Sequence, residues 1–159
     1  MTLTRPAIAH DAAAIAEIYT EGIEDRIATF ETSPRRAEDV TPWFSSGLPI
    51  YVLEEDGEVA AFAAAFPYSD RCCYGGIAGF SVYVRRQCRG RGLGKEVMKA
   101  LIQACQKAGL NKLTSMVMAV NAPSLRMMAS LGFREVGVHQ RHGMLDDVWH
   151  DVVVIELLL

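Results

Sequence analysis

The stretch YVRRQCRGRGLGKEV, residues 83–97, sets Arg85, Arg86, Arg89, Arg91 and Lys95 around Gly90, Gly92 and Gly94. The apolar run IAGFSVYV, residues 77–84, leads into it and reads as a strand. From Gly92 onward, Leu93, Val97, Leu101 and Cys105 recur at i, i+4 steps, the spacing of one helix face, and Gly109 suits the end of that helix. A helix start exposes unpaired N–H groups and a partial positive charge. Glycines let such a backbone come close to a ligand and the arginines add charge, so the natural guest is a phosphate or pyrophosphate. Two familiar phosphate patterns fail on spacing. For a Walker loop, Gly90 to Gly94-Lys95 is one residue short and Glu96 stands in the Ser/Thr place. For a dinucleotide fingerprint, the last interval of Gly90, Gly92 and Gly94 is wrong and no strand–helix–strand unit opens the chain. A third pattern, Gln-x-x-Gly-x-Gly between strand and helix, is met by Gln87, Gly90 and Gly92. The turn alone also fits a surface loop whose arginines are merely solvated.

Working outward, TRPAI (4–8) suits a first strand, and Asp11 can cap a helix carrying Ile15, Ile18, Tyr19 and Ile23 on one side. FETSPRRAEDVTPWF (30–44) reads as a loop followed by a short helix near Trp43. IYVLEE and EVAAFAAAF flank Asp56-Gly57, a two-residue hairpin signal. KLTSMVMAV (112–120) reads as a strand, Asn121 as the N-cap of a second long helix with Pro123 tolerated in its first turn, and residues 135–139 and 149–157 as two closing strands. The order β-α-α-β-β-β-α-β-α-β-β predicts an α/β or α+β layer, helices flanking a mixed sheet, in one domain spanning residues 1–159.

Half of the residues are hydrophobic and 22% are charged, which is ordinary globular composition, and the formal net charge of −3 argues against a general nucleic-acid binder. No apolar run is long enough to span a bilayer, and no basic stretch followed by an apolar one opens the chain. Cys72, Cys73, Cys88 and Cys105 have no CxxC spacing and read as reduced, mostly packing thiols of a cytoplasmic protein. His139 and His142 are three apart but lack a matching Cys or His pair, so no metal is expected.

With SVYV (81–84) before the glycine turn and NAPSLRMMASLGFREVG (121–137) after the next strand, the chain resembles the GNAT N-acetyltransferase superfamily. More narrowly, it is similar to the phosphinothricin, methionine sulfoximine and arsinothricin acetyltransferases. EGIEDRIATFETSP (21–34), RCCYGG (71–76), RGRGLG (89–94), LGFREVGVH (131–139) and WHDVVVIE (149–156) stand in the order of that group. The resemblance implies a mostly antiparallel central sheet, acetyl-CoA as cofactor and a small amino-acid-like amine as acceptor, with a homodimer as the usual assembly. It puts backbone groups of Val82, Tyr83 and Val84 along the pantetheine arm. It puts the N–H groups of Gly90, Arg91, Gly92, Leu93, Gly94 and Lys95 around the pyrophosphate, after Gln87. Arg85, Arg86, Arg89 and Arg91 are unranked candidates for the ribose phosphate. Asn121, unless it is only a cap, and Ser130 fall on the cofactor side.

For the acceptor, Arg71 and Tyr74 match the group's Arg-x-x-Tyr, with Cys72 and Cys73 between them. Arg71 can fork onto a carboxylate or phosphinate, or it is a surface arginine. Phe30 and Glu31, from the loop after the first helix, line the pocket or, for Phe30, join the core. Arg141 to Gly143 and Trp149 would contribute to the acceptor pocket from a neighbouring subunit, with His142 either catalytic or structural. A backbone N–H near Tyr83, on a bulged strand, is the expected oxyanion donor. Two departures stand out: Gly79 replaces an acidic residue, and Met128 replaces a Tyr or His that could protonate the leaving thiolate. Glu31 or a water chain is then left to remove the amine's proton.

Overall fold

A computed structural model describes all 159 residues. A seven-stranded sheet runs in the order β1-β2-β3-β4-β5-β7-β6, with β1 Thr2–Pro6, β2 Ile50–Glu55, β3 Glu58–Pro67, β4 Ile77–Val84, β5 Lys112–Met118, β6 Arg134–Leu145 and β7 Val148–Leu158. Every neighbouring pair is antiparallel except β4 and β5. Four helices accompany it: α1 Ala12–Glu24, α2 Ala37–Val40, α3 Leu93–Lys107 and α4 Ala122–Ser130. The element order is the one read from the sequence. β6 extends farther than expected, and β5 stops at Met118 rather than Val120.

Alternation along the strands builds two cores. Val52, Phe62 and Ala64 point to one face and pack with Ile15, Ile18 and Val40 from α1 and α2. Leu53, Ala61, Ala63 and Ala65 point to the other and pack with Val97, Met98 and Leu101 of α3 and Met128 of α4. On the opposite face α1 comes down through Gly22, where a Cβ would lie 2.5 Å from the Tyr83 ring.

Asp11 corrects one expectation. It precedes α1 but makes no side-chain bond to that helix. Its carboxylate instead accepts from Ile8 N–H at 2.8 Å and from the Arg5 guanidinium at 2.8 and 2.9 Å, while Arg5 also reaches Glu54. A nearly buried carboxylate is costly unless paired, and Arg5 answers that cost better than a helix cap does. The bond to Arg5 holds the Asp11 carboxyl below the usual range against the opposing effect of burial.

Candidate active site

The site begins where the only parallel pairing ends. β4 and β5 pair at Ile77–Lys112, Ala78–Leu113 and Gly79–Thr114 and then separate. In the opening, the Ser115 hydroxyl donates to the Phe80 carbonyl at 3.2 Å. Beyond it lies a cleft of about 80 Å³ whose lining includes Ser81, Val82, Tyr83, Asn121, Ser124 and Met128. An opening between two strands leaves backbone groups without a ladder partner, and an extended arm can fill that place as a strand would.

Which groups face the opening follows from the register. β4 pairs with β3 continuously from Ala78 to Val84, and the Arg85 N–H donates to the Ala60 carbonyl at 2.7 Å. Alternation then turns Tyr83 N–H toward Phe62 on β3 and Val82 N–H and C=O toward the cleft. The expected bulge at Tyr83 is absent from this register, so the backbone donor in the opening is Val82 and not Tyr83. The Val84 carbonyl, which faces the same way, accepts from Arg89 Nε at 3.0 Å.

At the end of β4 the chain turns through Arg86–Cys88 and enters α3. Gly90 and Gly92 both sit at φ 79°, a left-handed conformation that a side chain would strain. The N–H groups of Gly90, Arg91 and Gly92 donate to no carbonyl, and those of Leu93, Gly94 and Lys95 begin a helix and so lack an intrahelical partner. A Cβ on Gly94 would meet Met127 Sδ at 3.1 Å and Val84 Cγ2 at 3.2 Å. This donor-rich turn is thus pressed against α4, directly beside the cleft. Its geometry fits a diphosphate, and the cleft fits the thin arm that a diphosphate-bearing thioester would carry inward.

Around the turn, Arg86 is bound by Glu24 and Asp25, Arg89 by Asp25, and Arg91 by both oxygens of Glu55. Arg85 donates to the Val59 carbonyl and approaches Glu17. Gln87 is exposed and lines, with Arg85 and Arg91, a second pocket of about 350 Å³ that shares no residue with the cleft. Asn121 caps α4, its Oδ1 accepting from Ser124 N–H at 3.3 Å, and still lines the cleft, so its two readings hold together. Ser130 is exposed, with its hydroxyl turned back onto the Met127 carbonyl. The structure does not bring Ser130 to the cleft; it brings Ser124, which sequence reading missed. The signal was its position, one helical turn before Met128 on the same face.

The expected acceptor residues fall in separate groups: Phe30 and Glu31 in the loop after α1, Arg71 to Tyr74 ahead of β4, and His142 on β6. Tyr83 stacks on Tyr19 at 5.0 Å and on Phe62 at 5.6 Å between ring centroids, and burial pushes its phenol up, well out of the physiological range. Glu31 is half exposed and ion-paired with Arg35 at 2.8 Å. Phe30 packs into the open side of Gly143 and lies 6.3 Å from the His150 ring. Ahead of β4, Arg71 lies over the Tyr74 ring at 5.8 Å with no carboxylate partner, and Cys72 and Cys73 are exposed free thiols. Cys88 and Cys105 are buried; burial pushes the Cys105 thiol up to about 11. His142 stacks on His139 at 4.2 Å in the exposed part of β6, where the register shifts and Arg141 takes φ 46°. Gly79 is on the strand face shared with Ser81 and Tyr83, and Met128 is buried at the cleft wall.

Comparison with known proteins decides the family. The model of the Acetyltransferase (GNAT) family matches residues 14–133. The chain belongs to the GNAT acetyltransferase family. It is 30% identical over 158 residues to the phosphinothricin N-acetyltransferase of Streptomyces viridochromogenes, covering 93% of this chain and 82% of that protein. It is 30% identical over 163 residues to the L-methionine sulfoximine/L-methionine sulfone acetyltransferase of Pseudomonas aeruginosa, covering 98% and 93%. The fold superposes with a TM-score of 0.93 on a GNAT phosphinothricin acetyltransferase from Sinorhizobium meliloti in complex with AcCoA, at 26% identity over 99% of this chain and 88% of that one. As a GNAT enzyme the chain is an acetyl-CoA-dependent N-acetyltransferase. The left-handed glycine turn and the strand opening are the features that suit this cofactor, which supplies the activated acetyl group. No helix is long and apolar enough to cross a membrane.

Proposed function

We propose that the acceptor is the α-amine of a small amino-acid analogue of the phosphinothricin, methionine sulfoximine or arsinothricin type, and that the transfer is a detoxification or resistance activity of a cytoplasmic, single-domain protein. The observation that carries this reading is Arg71. Most arginines of the chain are held by carboxylates, whereas this one is exposed over Tyr74 at the entrance to β4 with its guanidinium unpaired. A planar fork of donors suits a carboxylate or phosphinate on the acceptor. The named substrates of the relatives carry such groups or their isosteres.

In this reading Gly90 to Lys95 hold the diphosphate, Val82 extends a strand-like pairing to the arm and polarises the reacting carbonyl through its N–H, and Asn121 orients the end of the arm. Phe30, Tyr74 and His142 shape the acceptor side with Cys72 and Cys73. Glu31, fixed by Arg35, steers the water that takes the amine's proton. A second copy of the chain docks on the β6–β7 hairpin, where Val138, Val148 and Trp149 are each more than half exposed. Gly79 and Met128 favour a second reading, an acyl-CoA binder with slow turnover, because neither can move a proton.

Arg71→Ala tests the acceptor assignment. The loss of a charged hydrogen bond, about 1.5–3 kcal/mol, should raise KM for phosphinothricin by one to two orders of magnitude and leave KM for acetyl-CoA unchanged. Equal kinetics in variant and parent would remove Arg71 from the site.

A further inference from the structure

We infer that Ser124 is the hydrogen-bond donor to the coenzyme's sulfur, taking over the task that Met128 cannot perform. The inference rests on the acetyltransferase reading of the cleft. Met128 is 2% exposed at the cleft wall and offers no proton. Ser124 lies one turn before it on α4, so the two side chains share a helix face and line the same cleft. Its backbone N–H is held by Asn121 Oδ1, which fixes the residue, while its hydroxyl bonds to no protein group.

The other hydroxyls nearby are already bonded or project from the opposite side. Ser115 donates to the Phe80 carbonyl, and Ser130 to the Met127 carbonyl outside the cleft. Ser81 also lines the cleft, but it projects from the β4 face of Gly79 and Tyr83, toward α1, whereas Ser124 projects from α4 beside Met128. The diphosphate turn lies on the opposite side, where Gly94 touches Met127 of α4. The sulfur-bearing arm therefore comes in along α4, past Asn121 and Ser124.

During transfer the amine nitrogen bonds to the acetyl carbon and the carbon–sulfur bond breaks with its electron pair passing to sulfur. The surplus amine proton goes to water. Ser124 keeps its own proton and donates a hydrogen bond to the thiolate, which later takes a proton from solvent. A thiol of ordinary pKa, ~8.5, needs no strong acid to leave, so a neutral hydroxyl suffices.

The test is the titration of the thiol of bound CoA, followed by the ultraviolet absorbance of its thiolate, in the parent, Ser124→Ala and Ser124→Thr. The bound thiol should titrate below the free one in the parent and in Ser124→Thr. In Ser124→Ala it should rise by about one pH unit, a tenfold change in acidity. Acetyl-CoA, whose sulfur carries no charge, should bind the alanine variant nearly as well as the parent. The same titration in Ser124→Ala and parent would overturn the inference, and so would equal weakening of CoA and acetyl-CoA, which marks a packing role. A parent that binds no CoA at all would instead contradict the acetyltransferase reading beneath it.

Discussion

Phe30 occupies the space that a side chain at Gly143 would need: a Cβ there would overlap the ring. The loop after α1 is thereby keyed into the β6–β7 hairpin, joining two segments more than a hundred residues apart. Gly143→Ala should evict the ring. Overpacking of this kind costs about 1–3 kcal/mol, so the melting temperature should fall by several degrees. The acceptor's KM should rise while acetyl-CoA binding is retained; a parent-like KM would show that Phe30 does not shape the pocket.

At Gly79 the gap is chemical rather than steric. A Cβ there would find only Thr114 O at 3.8 Å and Phe66 O at 4.0 Å, so a side chain fits. Gly79→Glu places a carboxylate on the strand face shared with Tyr83 and should raise kcat/KM at neutral pH by up to ~10²–10⁴. The parent should speed up as rising pH deprotonates the substrate amine, and the variant should lose part of that dependence. Brisk parent turnover near neutrality with no gain in the variant would show that proton removal already has a route, and Glu31→Gln would then identify it.

The order of elements is legible because it rests on local signals: the short continuous apolar run of β3, the i, i+4 spacing of α3 and Asp56-Gly57 at the hairpin each act within a few residues. The glycine turn was legible for the same reason. What was not legible depends on register and on distant partners. Whether Tyr83 or Val82 turns its N–H to the cleft is decided by pairing with β3, and a shift of one residue would reverse it. Asp11 looked like a helix cap because Arg5 and Glu54, its real company, meet only when β1 pairs with β2. Ser124 lacks a distinctive motif of its own; it matters because the strands part opposite it.

Asp11 makes acid stability testable. Its carboxyl is held below the usual value chiefly by the Arg5 bond, so the charged pair contributes fully above the unfolded-state value of ~3.9 and is lost as pH falls through the lower folded-state value. The melting temperature should be level across neutral pH and drop below about pH 4. Asp11→Asn should lower it at neutral pH and flatten the acid slope. An acid slope identical to the parent's would assign that transition to other carboxylates.

Gly92 tests the diphosphate turn by backbone alone. Nothing lies within 4 Å of where its Cβ would be, but φ is 79°. Gly92→Val should therefore disturb the turn through left-handed strain of about 1–2 kcal/mol. The rise in melting temperature produced by acetyl-CoA should shrink in this variant. An undiminished rise would move the diphosphate away from this turn.

Acetyl transfer to an amino-acid-type amine is measured as CoA thiol release from acetyl-CoA across a panel containing phosphinothricin, methionine sulfoximine, ordinary amino acids, polyamines and N-terminal peptides, with the acetylated product identified by mass. The predicted result is release with phosphinothricin or methionine sulfoximine well above that with polyamines and peptides, and product mass increased by one acetyl group. Release of no thiol with any amine, although acetyl-CoA binds, would rule out acetyl transfer to such an acceptor.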